Sequence, residues 1–368
     1  MAFFILFLNF KEGQNEMWSK ENTFRIGIDK ISLYNFQIQT DKNFLNKAFT
    51  QIIENKVGGI REKIVIKDKF FSLFSSHSLF EKKSGVEESF YNKITFNPNV
   101  LLTGDNICNS STDDLSKAIE KLKILLKEKG ILSDFSEAKI ADIEINLNIP
   151  IDFNEYYEIS YLFLKALNKT KKIINGVTDS ESLSDTEIKE SLFLRMNKST
   201  TFKMYSKTRE KNLAVDITRM EYFLETSAYK YFFEKYGKDN SLKTLLENPE
   251  MLETLFIEKI KKDFLLKAIK YIETKIKPVL EREYLRFKNT NKLARKNGRK
   301  EERNVYRYLE KFWIFDYSFL IEIVGKYDLY HKSRETETII KRYSHCNNLK
   351  KLNYLMDFIF NLKKPKSG

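Results

Sequence analysis

The chain has 368 residues, with 64 Lys and Arg against 51 Asp and Glu, so its formal net charge is +13. This surplus suits a polyanionic partner such as nucleic acid, because cations that neutralise phosphates release condensed counterions. An ordinary Lys-rich surface would give the same total, so charge alone does not identify the partner. The two cysteines and three histidines are widely scattered. They exclude a disulfide framework and a Cys/His metal cluster, and they favour a reducing, cytoplasmic location.

The first 23 residues are predicted to be an N-terminal extension. The apolar run at 2–8 is too short to span a bilayer and lacks the basic flank of a signal peptide, so no membrane association is expected. Strand-like alternation follows at 24–34, 63–72 and 88–96. Asn97-Pro98-Asn99 is predicted to form a turn, because proline fixes φ and asparagine tolerates left-handed backbone.

A helix is predicted between the capping residue Ser111 and Gly130, because apolar residues recur at helical spacing. A strand at 140–149, a helix at 155–167 and a flexible loop at 168–189 follow. Three more strands are predicted at 192–196, 201–206 and 216–225. Beyond residue 228 long amphipathic helices dominate, including 251–276 and 348–362. The pattern predicts an antiparallel α+β domain at 24–227 and an all-helical domain at 228–368.

Four segments occur in a fixed order, at 27–31, 96–132, 140–146 and 202–223. The last contains a Tyr-x-Lys-x-x-Glu pattern at Tyr205, Lys207 and Glu210, and an Arg-hydrophobic-Glu pattern at Arg219 and Glu221. In order and spacing these segments resemble the rolling-circle replication initiator (Rep) family of plasmids and filamentous phages. The resemblance covers residues 24–225.

The resemblance implies a Rep-like nicking domain, in which a tyrosine cuts one DNA strand with the help of a divalent metal. The phosphotyrosine that forms would conserve the bond energy for rejoining. It also implies a replication origin, in single-stranded or hairpin form, as the DNA partner, together with host replication proteins and a homodimer. The alternative is a catalytically inactive relative that binds nucleic acid or inhibits another complex.

Three carboxylates are predicted to hold Mg²⁺ or Mn²⁺, which prefer hard oxygen ligands. Asp142 and Glu144 are two apart on a predicted strand and project from one face, and Glu221 lies on another predicted strand. The same spacing is also expected if Asp142 and Glu144 simply line a solvated strand face.

Cations beside these carboxylates are predicted to serve the phosphate. Tyr205, Lys207 and Glu210 are assigned to catalysis, while Arg209 and Arg219 are assigned to nucleic-acid binding. The three cations have alternatives: Lys207 and Arg209 as ordinary hairpin-loop charges, and Arg219 as half of an exposed cross-strand ion pair with Glu221.

The sequence departs from the family at two points. It has no His-hydrophobic-His motif, and Leu192 or Phe193 stands where relatives often carry a tyrosine. Phenylalanine has no hydroxyl and cannot be a nucleophile. The motif therefore leaves Tyr205 as the first candidate. The other tyrosines considered are Tyr156, Tyr157, Tyr161 and Tyr229.

The helical half contains a basic run at 286–303. Four of its residues are predicted to contact the phosphate backbone: Arg295, Lys296, Arg299 and Lys300. A solvated loop between helices is the alternative explanation of this run.

Overall fold

The computed structural model describes residues 24–40, 50–54, 60–82, 85–167, 173–174, 177–178, 191–298, 314–327 and 332–362. The predicted N-terminal extension, most of the predicted loop at 168–189, and Arg299 and Lys300 lie outside these residues. None of the described helices combines the length and the apolar character needed to cross a membrane.

A nine-stranded antiparallel sheet forms the centre of the first part of the chain. Its strand order is β11-β12-β13-β8-β1-β6-β5-β4-β3. The strands are β1 (Ile26–Tyr34), β3 (Thr50–Glu54), β4 (Ile60–Lys67), β5 (Phe71–Lys82), β6 (Gly85–Phe96), β8 (Lys139–Ile149), β11 (Ser191–Asn197), β12 (Thr200–Ser206) and β13 (Thr218–Glu225). Two short pairs accompany it, β2 (Gln37–Thr40) with β7 (Ile131–Asp134), and β9 (Ile173–Ile174) with β10 (Val177–Thr178). The predicted mixture of helix and antiparallel sheet is confirmed.

Strand β8 lies near the middle of the sheet and shows why one of its faces is polar. Ile143, Ile145 and Leu147 alternate along it and are completely buried. Successive side chains of a strand point to opposite faces, so Asp142, Glu144, Asn146 and Asn148 share the other face. We call it the polar face of the sheet.

Local sequence signals account for the first two helices, α1 (Pro98–Thr103) and α2 (Thr112–Glu128). The predicted turn at Asn97–Asn99 is wrong, because Asn97 caps α1 by accepting a hydrogen bond from the Val100 N–H. Proline suits the first turn of a helix as well as a β-turn, since its fixed φ matches both. The predicted capping of α2 is confirmed: Ser111 and Asp114 form a reciprocal capping box.

The chain divides into two compact units that differ from the predicted domains. The sheet unit comprises Met1–Asp152 and Lys172–Phe256, and the helical unit comprises Phe153–Lys171 and Ile257–Gly368. Residues 228–256, predicted to belong to the helical domain, are part of the sheet unit because they cover the apolar face of the sheet. On that face the Phe256 and Tyr222 ring centroids lie 5.7 Å apart. Its remaining helices are α4 (Lys207–Lys211), α5 (Thr226–Lys235), α6 (Leu242–Glu247) and most of α7 (Glu250–Ile260).

The first helix of the helical unit is α3 (Tyr157–Ala166), although strands β11, β12 and β13 of the sheet unit follow it in the sequence. The Phe163 ring of α3 packs 5.1 Å from the Phe264 ring, which lies beyond the return of the chain to this unit. Two π-helical turns, Lys261–Leu265 and Ile272–Ile276, flank α8 (Leu266–Tyr271). The later helices are α9 (Lys277–Lys296), α10 (Tyr317–Tyr327), α11 (Lys332–Tyr343) and α12 (Asn348–Asn361).

Candidate active site

The polar face gathers its side chains through the pairing of neighbouring strands. Lys203 of β12 lies opposite Glu221 of β13, which in turn lies opposite Asn146 of β8. One step along the strands, Tyr205 lies opposite Arg219. Directly opposed residues of antiparallel strands have their Cβ atoms only about 4.5–5.5 Å apart, so these side chains meet.

The Lys203 ammonium lies between two carboxylates. Its Nζ donates to Glu221 Oε2 at 3.1 Å and also to Glu144 Oε1. The two carboxylate side chains are 3% and 9% exposed, whereas that of Lys203 is 32% exposed. The site therefore has two buried carboxyl groups that share one cation with access to solvent.

Tyr205 completes the contacts of Glu221. Its hydroxyl donates to Glu221 Oε1 at 2.6 Å, and its side chain is partly exposed. The Lys207 ammonium lies over the Tyr205 ring, 5.8 Å from the centroid, and is bound by Glu210 Oε2 at 2.9 Å. A hydroxyl held by a carboxylate is the arrangement that a tyrosine nucleophile with an adjacent base requires.

Arg219, on the same face as Lys203, Tyr205 and Glu221, is fully buried. Its guanidinium donates to Asn148 Oδ1 at 2.7 Å, to Asp29 Oδ1 at 3.1 Å and to the Ile107 carbonyl at 2.6 Å. Its Nη1 also lies 3.9 Å from Glu221 Oε1. The prediction that Arg219 binds nucleic acid is therefore wrong, because its donors are used inside the protein. The alternative, an exposed cross-strand ion pair with Glu221, is also wrong, because both residues are buried and lie on the same strand.

The two glutamates that share Lys203 differ in pKa. Burial, reinforced by repulsion from Glu221, raises the pKa of Glu144 to about 7, although Lys203 opposes the shift. Burial would also raise the pKa of Glu221, but the charges of Lys203 and Arg219 outweigh it and lower that pKa. Glu221 thus stays ionised, while Glu144 holds a proton up to neutral pH.

The other titratable groups follow the same balance of burial and charge. Burial and the Glu221 charge raise the pKa of the Tyr205 hydroxyl, since a phenolate there would face a carboxylate. Burial and the Glu221 charge also raise the pKa of Asp29. Burial and the Arg219 charge lower the pKa of Lys207.

The predicted metal ligands do not converge on one point. Asp142 shares the polar face with the two glutamates, but its Oδ2 accepts from Lys93 Nζ at 2.5 Å. The space between Glu144 and Glu221 is taken by the Lys203 ammonium. Within the part of the chain that the structure describes, no group of three or more His, Cys, Asp or Glu residues is placed to hold a metal ion. The donor set therefore does not fit a divalent ion while Lys203 is present.

The remaining predicted residues have different outcomes. Lys207 is completely buried and paired with Glu210, and its ammonium lies over the Tyr205 ring. It therefore contacts Tyr205 and is not exposed to a phosphate in solvent. Arg209 is exposed on α4, and Arg295 and Lys296 are exposed at the end of α9. Their assignment to nucleic-acid binding stays a prediction.

Besides Tyr205, four tyrosines are candidate nucleophiles: Tyr156, Tyr157, Tyr161 and Tyr229. Tyr229 is fully buried, and its hydroxyl has no hydrogen-bond partner in the described structure. Tyr156, Tyr157 and Tyr161 belong to the helical unit. The Tyr205 hydroxyl, in contrast, donates to Glu221, a carboxylate of the polar face.

Sequence reasoning missed Lys203, Asp29 and Asn148 as members of the site. Lys203 carried a usable signal, because it stands two residues before Tyr205 on a predicted strand and so projects from the same face. Asp29 carried none, since its contact with Arg219 joins residues 190 positions apart.

Comparisons with known proteins add a structural similarity and no sequence match. The sequence matches no family model, and no curated protein matches it. Among solved structures, the rolling circle replication initiator protein from Geobacillus stearothermophilus is similar, with 8% sequence identity and a TM-score of 0.29. The match covers 66% of this chain and 85% of that chain. At this level of similarity, the residues of the site and not the match carry the functional proposal.

Proposed function

We propose that this chain is a DNA-binding protein of the replication-initiator type and that Tyr205 attacks a DNA phosphodiester. The hydrogen bond from the Tyr205 hydroxyl to Glu221 carries the proposal, because it joins a nucleophile to a base on a polar sheet face. The Tyr-x-Lys-x-x-Glu pattern and the net charge of +13 support it independently.

The proposed step transfers a phosphoryl group between oxygens. Tyr205 Oη forms a bond to phosphorus while its proton passes to Glu221, and the bond from phosphorus to a deoxyribose oxygen breaks. That oxygen leaves with a proton from a water molecule, and the resulting hydroxide takes up the proton that Glu221 received. The products are a phosphotyrosine and a free hydroxyl, and the reverse reaction rejoins the strand. The predicted Mg²⁺ or Mn²⁺ cofactor has no part in this step.

A second candidate is a DNA-binding protein that does not cut. It is favoured by the same glutamate, since Lys203 and Arg219 lower the pKa of Glu221 and make it a weak base. The raised pKa of Tyr205 also opposes formation of a phenolate. Under this proposal the network around Arg219 holds the scaffold, and exposed cations elsewhere bind the DNA.

The two candidates differ in whether a covalent adduct forms. Supercoiled DNA carrying the upstream region of the coding sequence is incubated with the protein, in Mn²⁺ and separately in EDTA. If Tyr205 cuts the DNA, the supercoiled DNA should become relaxed and carry covalently attached protein. Peptide mapping should then locate the attachment at Tyr205. Tyr205→Phe keeps the ring beneath Lys207 and should abolish the adduct while preserving the gel shift.

Three results would overturn the leading proposal. An adduct that persists in Tyr205→Phe would place the nucleophile elsewhere. A gel shift by the natural chain with no adduct in either buffer would favour the second candidate. Loss of the gel shift in both proteins would contradict DNA binding itself. Tyr157→Phe, in the helical unit, serves as the matched control and should leave adduct formation unchanged.

A further inference from the structure

The carboxylates of Glu144 and Glu221 converge on a single cation. They come from neighbouring strands, and one oxygen of each contacts Lys203 Nζ. Glu221 uses its other oxygen for Tyr205, with Arg219 at 3.9 Å. Two buried carboxylates repel one another unless a cation lies between them. Lys203 supplies that cation from within the chain.

The position of the ammonium is also one that a metal ion could use. Mg²⁺ and Mn²⁺ are commonly held by one or two carboxylates, with water molecules completing the coordination. The lysine stem reaches the site from the surface, since 32% of the side chain is exposed. Removal of that stem would leave a path through which a hydrated ion can enter.

We infer that Lys203 is a built-in cation that stands in place of a divalent metal. The natural chain binds no divalent ion between Glu144 and Glu221. A small neutral residue at position 203 turns the two glutamates into a site for Mn²⁺ or Mg²⁺. This inference rests on the contacts of three side chains and does not depend on DNA binding or on cutting.

Binding of Mn²⁺ tests the inference directly, because the unbound ion gives a measurable paramagnetic resonance signal. The natural chain, Lys203→Ala and Lys203→Arg are titrated with Mn²⁺ alone. Lys203→Ala should bind one more Mn²⁺ per chain than the natural protein. Lys203→Arg keeps a cation between the carboxylates and should gain no site. Adding Glu221→Gln to Lys203→Ala should weaken the new site at least tenfold.

Thermal unfolding provides a second readout, because an ion that binds only the folded state raises the melting temperature. Mn²⁺ should raise the melting temperature of Lys203→Ala more than that of the natural chain. If Lys203→Ala refolds only in the presence of Mn²⁺, that result also supports the inference. Failure to refold in either buffer would contradict it, since Mn²⁺ is expected to replace the missing cation.

The natural chain gives an independent test. A divalent ion bound to it and lost in Glu221→Gln would overturn the inference, because Lys203 would then not occupy the metal position. Absence of any added site in a folded Lys203→Ala would overturn it as well. Both outcomes are measured without DNA. They therefore do not affect the proposal for Tyr205, which the adduct experiment tests separately.

Discussion

Glu144 shows how one side chain links the site to pH. Its pKa is about 7 in the folded chain and 4.5 as the ordinary value, so folding takes up a proton between these limits. The resulting stabilisation is complete below the unfolded pKa and disappears as pH rises through the folded pKa. A site with one ammonium for two carboxylates is thus best balanced when one carboxylate is protonated.

We therefore expect Glu144→Gln to change the pH dependence of stability. The amide imitates the protonated acid, so the variant should not lose stability between pH 5.5 and 8.5 as the natural chain does. The free energy of unfolding of the variant, relative to that of the natural chain, should therefore increase by about 2–3 kcal/mol between pH 5.5 and pH 8.5. Urea unfolding at several pH values measures it. Parallel curves for the two proteins would contradict the expectation.

Arg219 is the residue on which the interior of the site depends. It is completely buried, and it is the charged partner of Asp29. Arg219→Met leaves Asp29 without its guanidinium and should lower the free energy of unfolding by about 3–5 kcal/mol. Arg209→Met, on the exposed surface of α4, is the control and should fall within about 0.5 kcal/mol of the natural chain. Chemical denaturation measures both. A loss below about 1 kcal/mol for Arg219→Met would show that the network is dispensable.

At the scale of elements, Gly27 on β1 allows a neighbouring segment to approach closely. A Cβ at this position would lie 2.7 Å from the Ser110 carbonyl oxygen and 2.8 Å from the Asn109 Cβ. The Ile28 N–H donates to the same Ser110 carbonyl at 2.8 Å. This segment also supplies the Ile107 carbonyl that Arg219 binds. Gly27 thus connects β1 to the lining of the site.

Gly27→Ala should push the segment away from β1. Overpacking of this kind costs about 1–3 kcal/mol of stability. It should also speed hydrogen exchange at the Ile28 amide, which is followed by NMR. Gly104→Ala distinguishes a steric clash from backbone strain. Its Cβ would meet nothing within 4 Å, but its φ of +93° is unfavourable for alanine. That variant should carry only a backbone cost and leave Ile28 protected. Equal protection of Ile28 in both variants would contradict the steric explanation.

Elements were predictable where the signal is local. Ser111 and Asp114 lie three residues apart, so the capping box of α2 is visible in the sequence. Alternation along β8 likewise predicted that Asp142 and Glu144 share a face. The sequence could place Lys203 on the same strand face as Tyr205, but not between Glu144 and Glu221, because that position depends on the register of three strands. The unpredicted cation is what separates the observed arrangement from the predicted metal site.

At the scale of the whole molecule, the net charge of +13 has a testable consequence. If Arg295 and Lys296 each contact a phosphate, replacing both with Ala should reduce the slope of log K against log salt by about 2 units. Binding measured by fluorescence anisotropy at several salt concentrations gives the slope. Lys117→Ala with Lys121→Ala removes the same charge from an exposed face of α2 and should leave the slope unchanged. Equal slopes for the natural chain and the α9 variant would assign the basic run to a solvated surface.

The route of the chain between its two units bears on how it is made by the ribosome. The segment of the helical unit that contains α3 is separated from the rest of that unit by 85 residues (172–256). At roughly 5–20 residues per second, this interval lasts about 4–17 s. During that time Phe163 has been made but Phe264, its ring partner, has not. The sheet unit is likewise incomplete until Phe256 leaves the ribosome. We therefore expect nascent chains of this protein to expose apolar helix faces for seconds and to bind chaperones that act during translation.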